Sequence, residues 1–259
     1  MWSRSNRSAQ TIGMTVEYVD RMLALRRWSA ATMGVKLVTK SVREHASELG
    51  NTTAGSTLVT RAAWQGRRML ENPHVAFTGA TYLRSLANDL PSHPSVRPEV
   101  LIRAGVQSLC AHKDELHWAA SVHVLQHGLL AMESPALAWE KWTAATISVF
   151  WLHQAPNIRL LGEHLRDVRR SLFFRHVSTL VNSSHSCAML PDLSFERAWK
   201  TASAQAQSST KTALLKVSRH AGLSDSKTNS GRALIRQRLE AFSAGLAMPV
   251  VLPLRECVR

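Results

Sequence analysis

Arginines set beside tryptophans are the residues of this chain best suited to chemistry, and the chemistry is the gripping of a phosphate backbone. Arg26-Arg27-Trp28 shows the pairing, and so does the run RAAWQGRR, which holds Arg61, Arg67 and Arg68 around Trp64. A guanidinium binds phosphate through two parallel N–H donors, and a neighbouring indole offers a face on which an unpaired base can stack. Arg166, Arg169 and Arg170 fall on adjacent turns of one predicted helix, so their charges are expected to converge on one stripe. Lys211, Lys216, Arg219, Lys227, Arg232, Arg236 and Arg238 make a long basic run toward the C-terminus, with Arg232 and Arg236 one helical turn apart. Arg4 and Arg7 extend the same character to the start of the chain. The tryptophans are expected in the core, and the basic tail is expected to face a partner.

Other chemistries find less support. His112, His117, His123 and His127 gather close to Cys110. His123 and His127, one turn apart, could share a metal ion, but Val124, Leu125 and Gln126 lie between them and supply no acid of the metalloprotease kind. These histidines are read as polar surface groups or as RNA-facing ones. Nucleophilic catalysis needs a Ser or Cys with a base and an orienting acid. The chain has no Gly-x-Ser-x-Gly elbow, no glycine-rich nucleotide loop and no Asp-x-Asp cluster among its 18 acids. A protein that is not an enzyme and uses no cofactor is expected.

Charge placement sharpens the polyanion reading. The net charge is +14. Residues 1–68 carry 11 Lys/Arg against 4 acids, residues 69–209 carry 12 against 11, and residues 210–259 carry 9 against 3. A nearly neutral body is thus flanked by two cationic ends, an arrangement that phosphate backbones reward through counterion release. An anionic membrane fits less well, since neither end shows a clean basic amphipathic helix with an aromatic apolar face.

The elements that must position these groups read as helices throughout. Apolar residues at 45% suffice for a core, while Gly (12) and Pro (9) are scarce. No apolar run approaches the roughly 20 residues of a membrane span. Cys110, Cys187 and Cys257 are odd in number and far apart, which suits a reducing compartment and no disulfide framework. The first fifteen residues are Arg- and Ser-rich and free of acids, the composition of an organellar import segment or of a flexible basic terminus.

Helical periodicity runs from Val16 to about Ser47, as two helices or as one broken near Gly34. A loop is predicted over residues 48–56. Helices are predicted over 57–71, 74–89, 98–112, 114–132, 135–154, 156–180, 194–207, 210–220 and 232–244. Asp114 caps one of them, and Pro98, Pro135 and Pro156 open others. The stretch PSHPSVRP, residues 91–98, reads as the clearest linker and a candidate sub-boundary. The expected organisation is a basic segment over 1–15, a helical body over 16–220, and a basic helix and tail over 221–259. The fold class is all-α: an irregular array of stacked antiparallel hairpins with basic N- and C-terminal extensions.

A tryptophan followed closely by a small residue recurs at Trp28, Trp64, Trp118, Trp142 and Trp199, at spacings of 36, 54, 24 and 57 residues. The openings at Trp28, Trp64, Trp118 and Trp199 resemble degenerate pentatricopeptide or tetratricopeptide-like hairpins of kinetoplastid mitochondrial proteins. The basic, Ala/Arg/His-rich style is similar to that of small subunits of the kinetoplastid mitochondrial ribosome and its assembly intermediates. Only the first spacing approaches the ~34-residue period of such repeats, so base-reading positions do not carry over. The resemblance implies a structural, rRNA-binding subunit in the mitochondrial matrix that contacts neighbouring proteins. The alternatives are an accessory subunit of a mitochondrial membrane complex and a free helical-repeat RNA-processing factor.

Overall fold

The computed structural model describes residues 4–112, 114–152, 157–183 and 229–247. Among these residues every regular element is a helix, and the fold is an all-α array. The chain forms two compact units, Met1–Ser134 and Pro135–Arg259. The first unit contains α1 (Arg4–Ala24), α2 (Trp28–Glu44), α3 (Ala46–Asn51), α4 (Thr53–Leu70), α5 (Ala76–Asp89), a 3-10 turn (Pro94–Val96), α6 (Pro98–Ala111) and α7 (Glu115–Leu130). The second contains α8 (Pro135–Leu152), α9 (Ile158–Ser183) and α10 (Asn229–Leu246).

Three hairpins build the first unit. In α1 the inward residues Ile12, Val16, Val19 and Leu23 recur at intervals of four, three and four, and in α2 Ala31, Val35, Val38 and Val42 do the same. That spacing keeps one apolar stripe facing a partner helix, and the two stripes close the first hairpin. α4 with α5 and α6 with α7 form the other two. The hairpins stack, with α1 on α4, α2 on α5 and α5 on α7, around one continuous core. Burial of each Val, Leu or Ile in such a core contributes roughly 1.5–3 kcal/mol against conformational entropy. Gly66 and Gly79 let α4 and α5 approach backbone to backbone: a Cβ on Gly79 would lie 2.6 Å from the Gly66 carbonyl oxygen.

α2 and α5 run parallel in a constant register. Thr32 meets Thr78 at 3.3 Å, Arg43 meets Asp89 at 3.5 Å and Trp28 stacks on His74, each pair 46 residues apart. Between α5 and α7 the offset shortens to 39, at Arg84 and His123. Trp28 and Trp64 therefore do not mark one repeat, because the first lies on α2 and the second on α4.

Several local expectations need correction. Of the two readings of 16–47, the two-helix one holds, with the helices parting at Leu25–Arg27. The alternative break near Gly34 does not, since Gly34 is buried inside α2 where a Cβ would lie 2.6 Å from Val19 Cγ2. The expected loop at 48–56 is mostly helical. Only Thr52 is extended, and its hydroxyl accepts from the Gly55 N–H at 3.1 Å to cap α4. No boundary falls after residue 15, since α1 runs through it and seats Ile12 and Val16 in the core. Residues 91–98 are not a free linker. Ser56 Oγ meets His93 Nε2 at 3.0 Å, Thr60 meets Ser95 at 3.0 Å, and Arg67 donates to the Ser95 carbonyl at 3.2 Å, so α4 holds the segment along its length. The expected helices over 194–207 and 210–220, and the boundary at 220, lie outside the described residues.

In the second unit α9 packs against α8 and α10. Trp142 is buried and its indole N–H donates to the Leu165 carbonyl at 3.3 Å. Phe150 and Phe242 pack with ring centroids 5.3 Å apart.

Candidate nucleic-acid interface

The acids of residues 1–68 are spent within the fold. Asp20 and Glu17 of α1 receive Arg61 of α4 at 2.8 and 3.4 Å, Glu44 lies 3.9 Å from Lys40, and Glu48 lies 3.7 Å from His45. Arg21, Arg26, Arg27, Lys36 and Arg68 are left exposed with no acid partner among the described residues. The charge excess of this region is therefore presented to solvent.

Arg26 and Arg27 form the turn between α1 and α2. The Arg26 N–H bonds to the Leu23 carbonyl at 3.1 Å and the Arg27 N–H to the Met22 carbonyl at 2.9 Å, a Schellman closure. That closure places Arg26 at φ 54, the left-handed region where glycine is the ordinary occupant. Arg27 then precedes α2 without a side-chain cap, so two adjacent guanidinium groups stand at an exposed helix start.

The second arginine–tryptophan cluster divides in two. Arg61 is committed to the α1 acids and Arg67 to the Ser95 carbonyl. Trp64 remains 51% exposed, with the Arg68 guanidinium 4.7 Å from its ring centroid. A cation over one indole face leaves a platform of the kind that stacks unpaired bases. Trp64 thus departs from the expectation of core tryptophans. Trp118 and Trp142 are buried, Trp28 is half-buried against His74, and Trp199 lies outside the described residues.

The stripe expected on α9 does not form. Arg169 is 2% exposed and lies 5.8 Å over the Trp142 ring, and burial lowers its pKa to about 10. Hydrophobic packing claims that face, because i, i+3 and i+4 positions alternate with the core-facing Leu165, Val168 and Leu172. Arg166 lies 3.6 Å from Asp167, and Arg170 is half-buried. Arg236 pairs with Glu240 at 3.2 Å. Arg238 donates to the Phe150 carbonyl at 3.4 Å and leans over the Phe150 ring, so it serves packing within its own unit. Arg4, Arg7 and Arg232 occupy helices, but their side chains lie outside the described residues, as do Lys211, Lys216, Arg219 and Lys227 altogether.

The histidines are built into the first unit. His112 and His117 stack at 4.1 Å, with His117 4% exposed. His123 Nε2 lies 3.5 Å from the Arg84 guanidinium, and burial first, then Arg84, lowers the pKa of His123 and of His127. The Arg84 guanidinium beside His123 disfavours a further cation shared by that pair. Among the described residues no three His, Cys, Asp or Glu side chains gather in a metal-binding group. Burial pushes the Cys110 thiol up, which disfavours the nucleophilic thiolate.

Ser56 and His93 lie within hydrogen-bonding distance, yet the tautomer is wrong for a catalytic pair. His93 Nδ1 accepts the Ser95 N–H at 3.3 Å, and burial lowers the ring's pKa and favours the neutral form. The proton is therefore on Nε2, which donates to Ser56 Oγ and has no lone pair with which to activate it.

Sequence reasoning missed Arg21 and Lys36 as exposed cations. For Lys36 the signal was the absence of an acid three or four residues away, whereas Arg21 has Glu17 one turn before it and is left without an acid because Glu17 pairs with Arg61 of α4. It also missed Gln65, fully buried, whose amide donates to the Val16 carbonyl at 2.7 Å and ties α4 to α1. Among the described residues no helix is long and apolar enough to cross a membrane. No protein-family model, no curated protein and no solved structure matches the chain.

Proposed function

We propose that this chain is a structural RNA-binding subunit of a ribonucleoprotein assembly, a mitochondrial ribosome or an intermediate in its construction, acting in the matrix. The observation that carries the proposal is the fate of the acids in residues 1–68: each lies against a basic group of the same region, and Arg21, Arg26, Arg27, Lys36 and Arg68 still stand exposed. A polyanion matches such a surface, since every phosphate neutralised releases counterions. Arg26 and Arg27 supply bidentate phosphate grips, and Trp64 beneath Arg68 supplies a stacking face for an unpaired base. The uneven hairpin offsets, 46 and then 39, favour contact with RNA backbone and shape over a one-base-per-repeat code. The acid-free, Arg- and Ser-rich composition of residues 1–15 supports the mitochondrial assignment.

Binding of the full chain to structured rRNA fragments across a salt series tests this reading. The logarithm of the association constant should fall steeply with the logarithm of salt. The triple variant Arg26→Gln, Arg27→Gln, Arg68→Gln should bind at least about tenfold more weakly, with a slope shallower by as much as about 3. Salt-independent binding, or a triple variant that binds like the parent, overturns the assignment.

A further inference from the structure

The first hairpin carries a second pair of helical seams on its outer side. α1 and Leu25, the residue that closes it, repeat the four-three-four spacing of the buried residues two positions later, at Met14, Tyr18, Arg21 and Leu25, and α2 does so at Met33, Leu37, Lys40 and Glu44. Every one of these eight residues is exposed, and the apolar five, Met14, Tyr18, Leu25, Met33 and Leu37, each expose between 43% and 58% of their surface. Gly34 joins the two seams: the Tyr18 ring lies within 3.1 Å of where a Gly34 Cβ would be. Antiparallel packing from that point sets Met14 level with Leu37 and Tyr18 level with Met33. An apolar groove thus runs between the helices on the face opposite α4 and α5.

We propose that this groove docks an amphipathic helix of another protein, one whose apolar stripe is bordered by acidic residues. The spacing of the floor is that of a helix–helix seam, and methionine with leucine is a pairing that adapts to a helical ligand. Charge selects the ligand. Arg21 interrupts the α1 seam, Lys40 and Glu44 offset one another at 3.9 Å at the end of the α2 seam, and Lys36, Arg26 and Arg27 stand without an acid partner on the same hairpin. Glu17 and Asp20, the acids of α1, turn away to Arg61. A second copy of this chain would oppose like charges across the groove. A lipid bilayer would require the aromatic ring to project, whereas the Tyr18 ring lies along the α2 backbone. Trp64 and Arg68 lie on α4, outside this pair of helices, whereas Arg26 and Arg27 border the groove and also serve the RNA reading.

The test uses the full chain and three probes: a fluorescein-labelled synthetic helix with leucines at four-three spacing flanked by glutamates, the same helix flanked by lysines, and phosphatidylserine vesicles. The glutamate helix should bind saturably and the lysine helix should not. Leu37→Glu and, independently, Met14→Glu should each weaken binding roughly tenfold or more. Both sites are more than half exposed, so thermal melting should stay at the parent value. Both variants should keep the parent's RNA affinity, whereas the triple glutamine variant above should lose it, which separates failure of the docking site from failure of the RNA reading. Absence of saturable binding, equal binding of the two helices, preference for vesicles, or a concentration-dependent dimer abolished by Leu37→Glu each overturns the proposal.

Discussion

Trp28 and His74 lie face to face, their ring centroids 5.6 Å apart and their planes 15° from parallel, at the start of two helices that keep the same offset to their far ends. The Thr32–Thr78 and Arg43–Asp89 contacts, 46 residues apart like the rings, show that α2 and α5 are stacked in register along their length. Stacking of this kind leaves α5 no freedom to slide, because its other side is fixed on α4 at Gly66 and Gly79.

Gly79→Ala should therefore be costly. Its new methyl would sit 2.6 Å from the Gly66 carbonyl oxygen and 2.7 Å from the Leu70 nitrogen, which are backbone atoms and cannot rotate aside. We expect a destabilisation of roughly 1–3 kcal/mol by urea denaturation. Gly13→Ala is the control: its methyl would meet only Leu58 Cδ2, at 3.5 Å. There the gain in helix propensity should stabilise the protein by about 0.5–1 kcal/mol. Equal responses at the two positions would rule out the close crossing.

Arg26→Gly should separate stability from binding. The left-handed backbone at φ 54 penalises any side chain with a Cβ, so glycine should stabilise the protein by about 0.5–1 kcal/mol. Loss of one exposed guanidinium should weaken RNA binding in the same variant. On the RNA-binding proposal, the arginine kept at this left-handed position serves the phosphate backbone at some cost in stability. A variant that is both less stable and unchanged in RNA affinity would contradict both halves of the expectation.

The helices around Pro98 and Asp114 are legible in the sequence because their start signals are local: a proline at the first turn, and an aspartate whose carboxylate accepts from the Leu116 N–H at 2.8 Å. The break at Arg26 is not legible, since the turn geometry that ordinarily announces itself with glycine is occupied by arginine. Arg169 misleads for a related reason: spacing places it on a helix but cannot tell which side the core will claim, and arginine is rarely the side chain claimed. PSHPSVRP reads as a linker by composition, yet its His93 and Ser95 bind α4, a pairing between residues 35 and 37 positions apart that no local window contains. The two basic runs that supply Arg26, Arg27 and Arg68, each of them exposed, were visible. The internal use of Arg61 and Arg67 was not, because it depends on tertiary partners.

Acid should destabilise the first unit through its histidines. His93, His112, His123 and His127 all have pKa values lowered from the ordinary 6.5, in each case chiefly by burial. As pH falls through about 6.5 the unfolded chain takes up protons that the folded chain refuses, so stability present above that pH is lost below it. The loss levels off once the pH passes the lowered folded values. Denaturation midpoints should fall between about pH 7.5 and about pH 5. His93→Gln keeps a donor for Ser56 without a titrating ring, and its profile should be flatter than the parent's. A parent midpoint that does not move over this range would exclude the linkage.

Arg169 offers the sharpest distinction between a basic residue that binds and one that builds. At 2% exposed, over the Trp142 ring, it contributes its aliphatic stem and guanidinium plane to the second unit's core. Arg169→Ala should empty that space and cost roughly 2–4 kcal/mol. The salt dependence of RNA binding, measured on the fraction that remains folded, should be unchanged, since a side chain closed off from solvent neutralises no phosphate. Arg68→Ala should do the reverse, leaving the denaturation midpoint within about 0.5 kcal/mol of the parent and lowering RNA affinity. If the slope of affinity against salt drops for Arg169→Ala as it does for Arg68→Ala, then Arg169 reaches RNA, and α9 must open to let it do so.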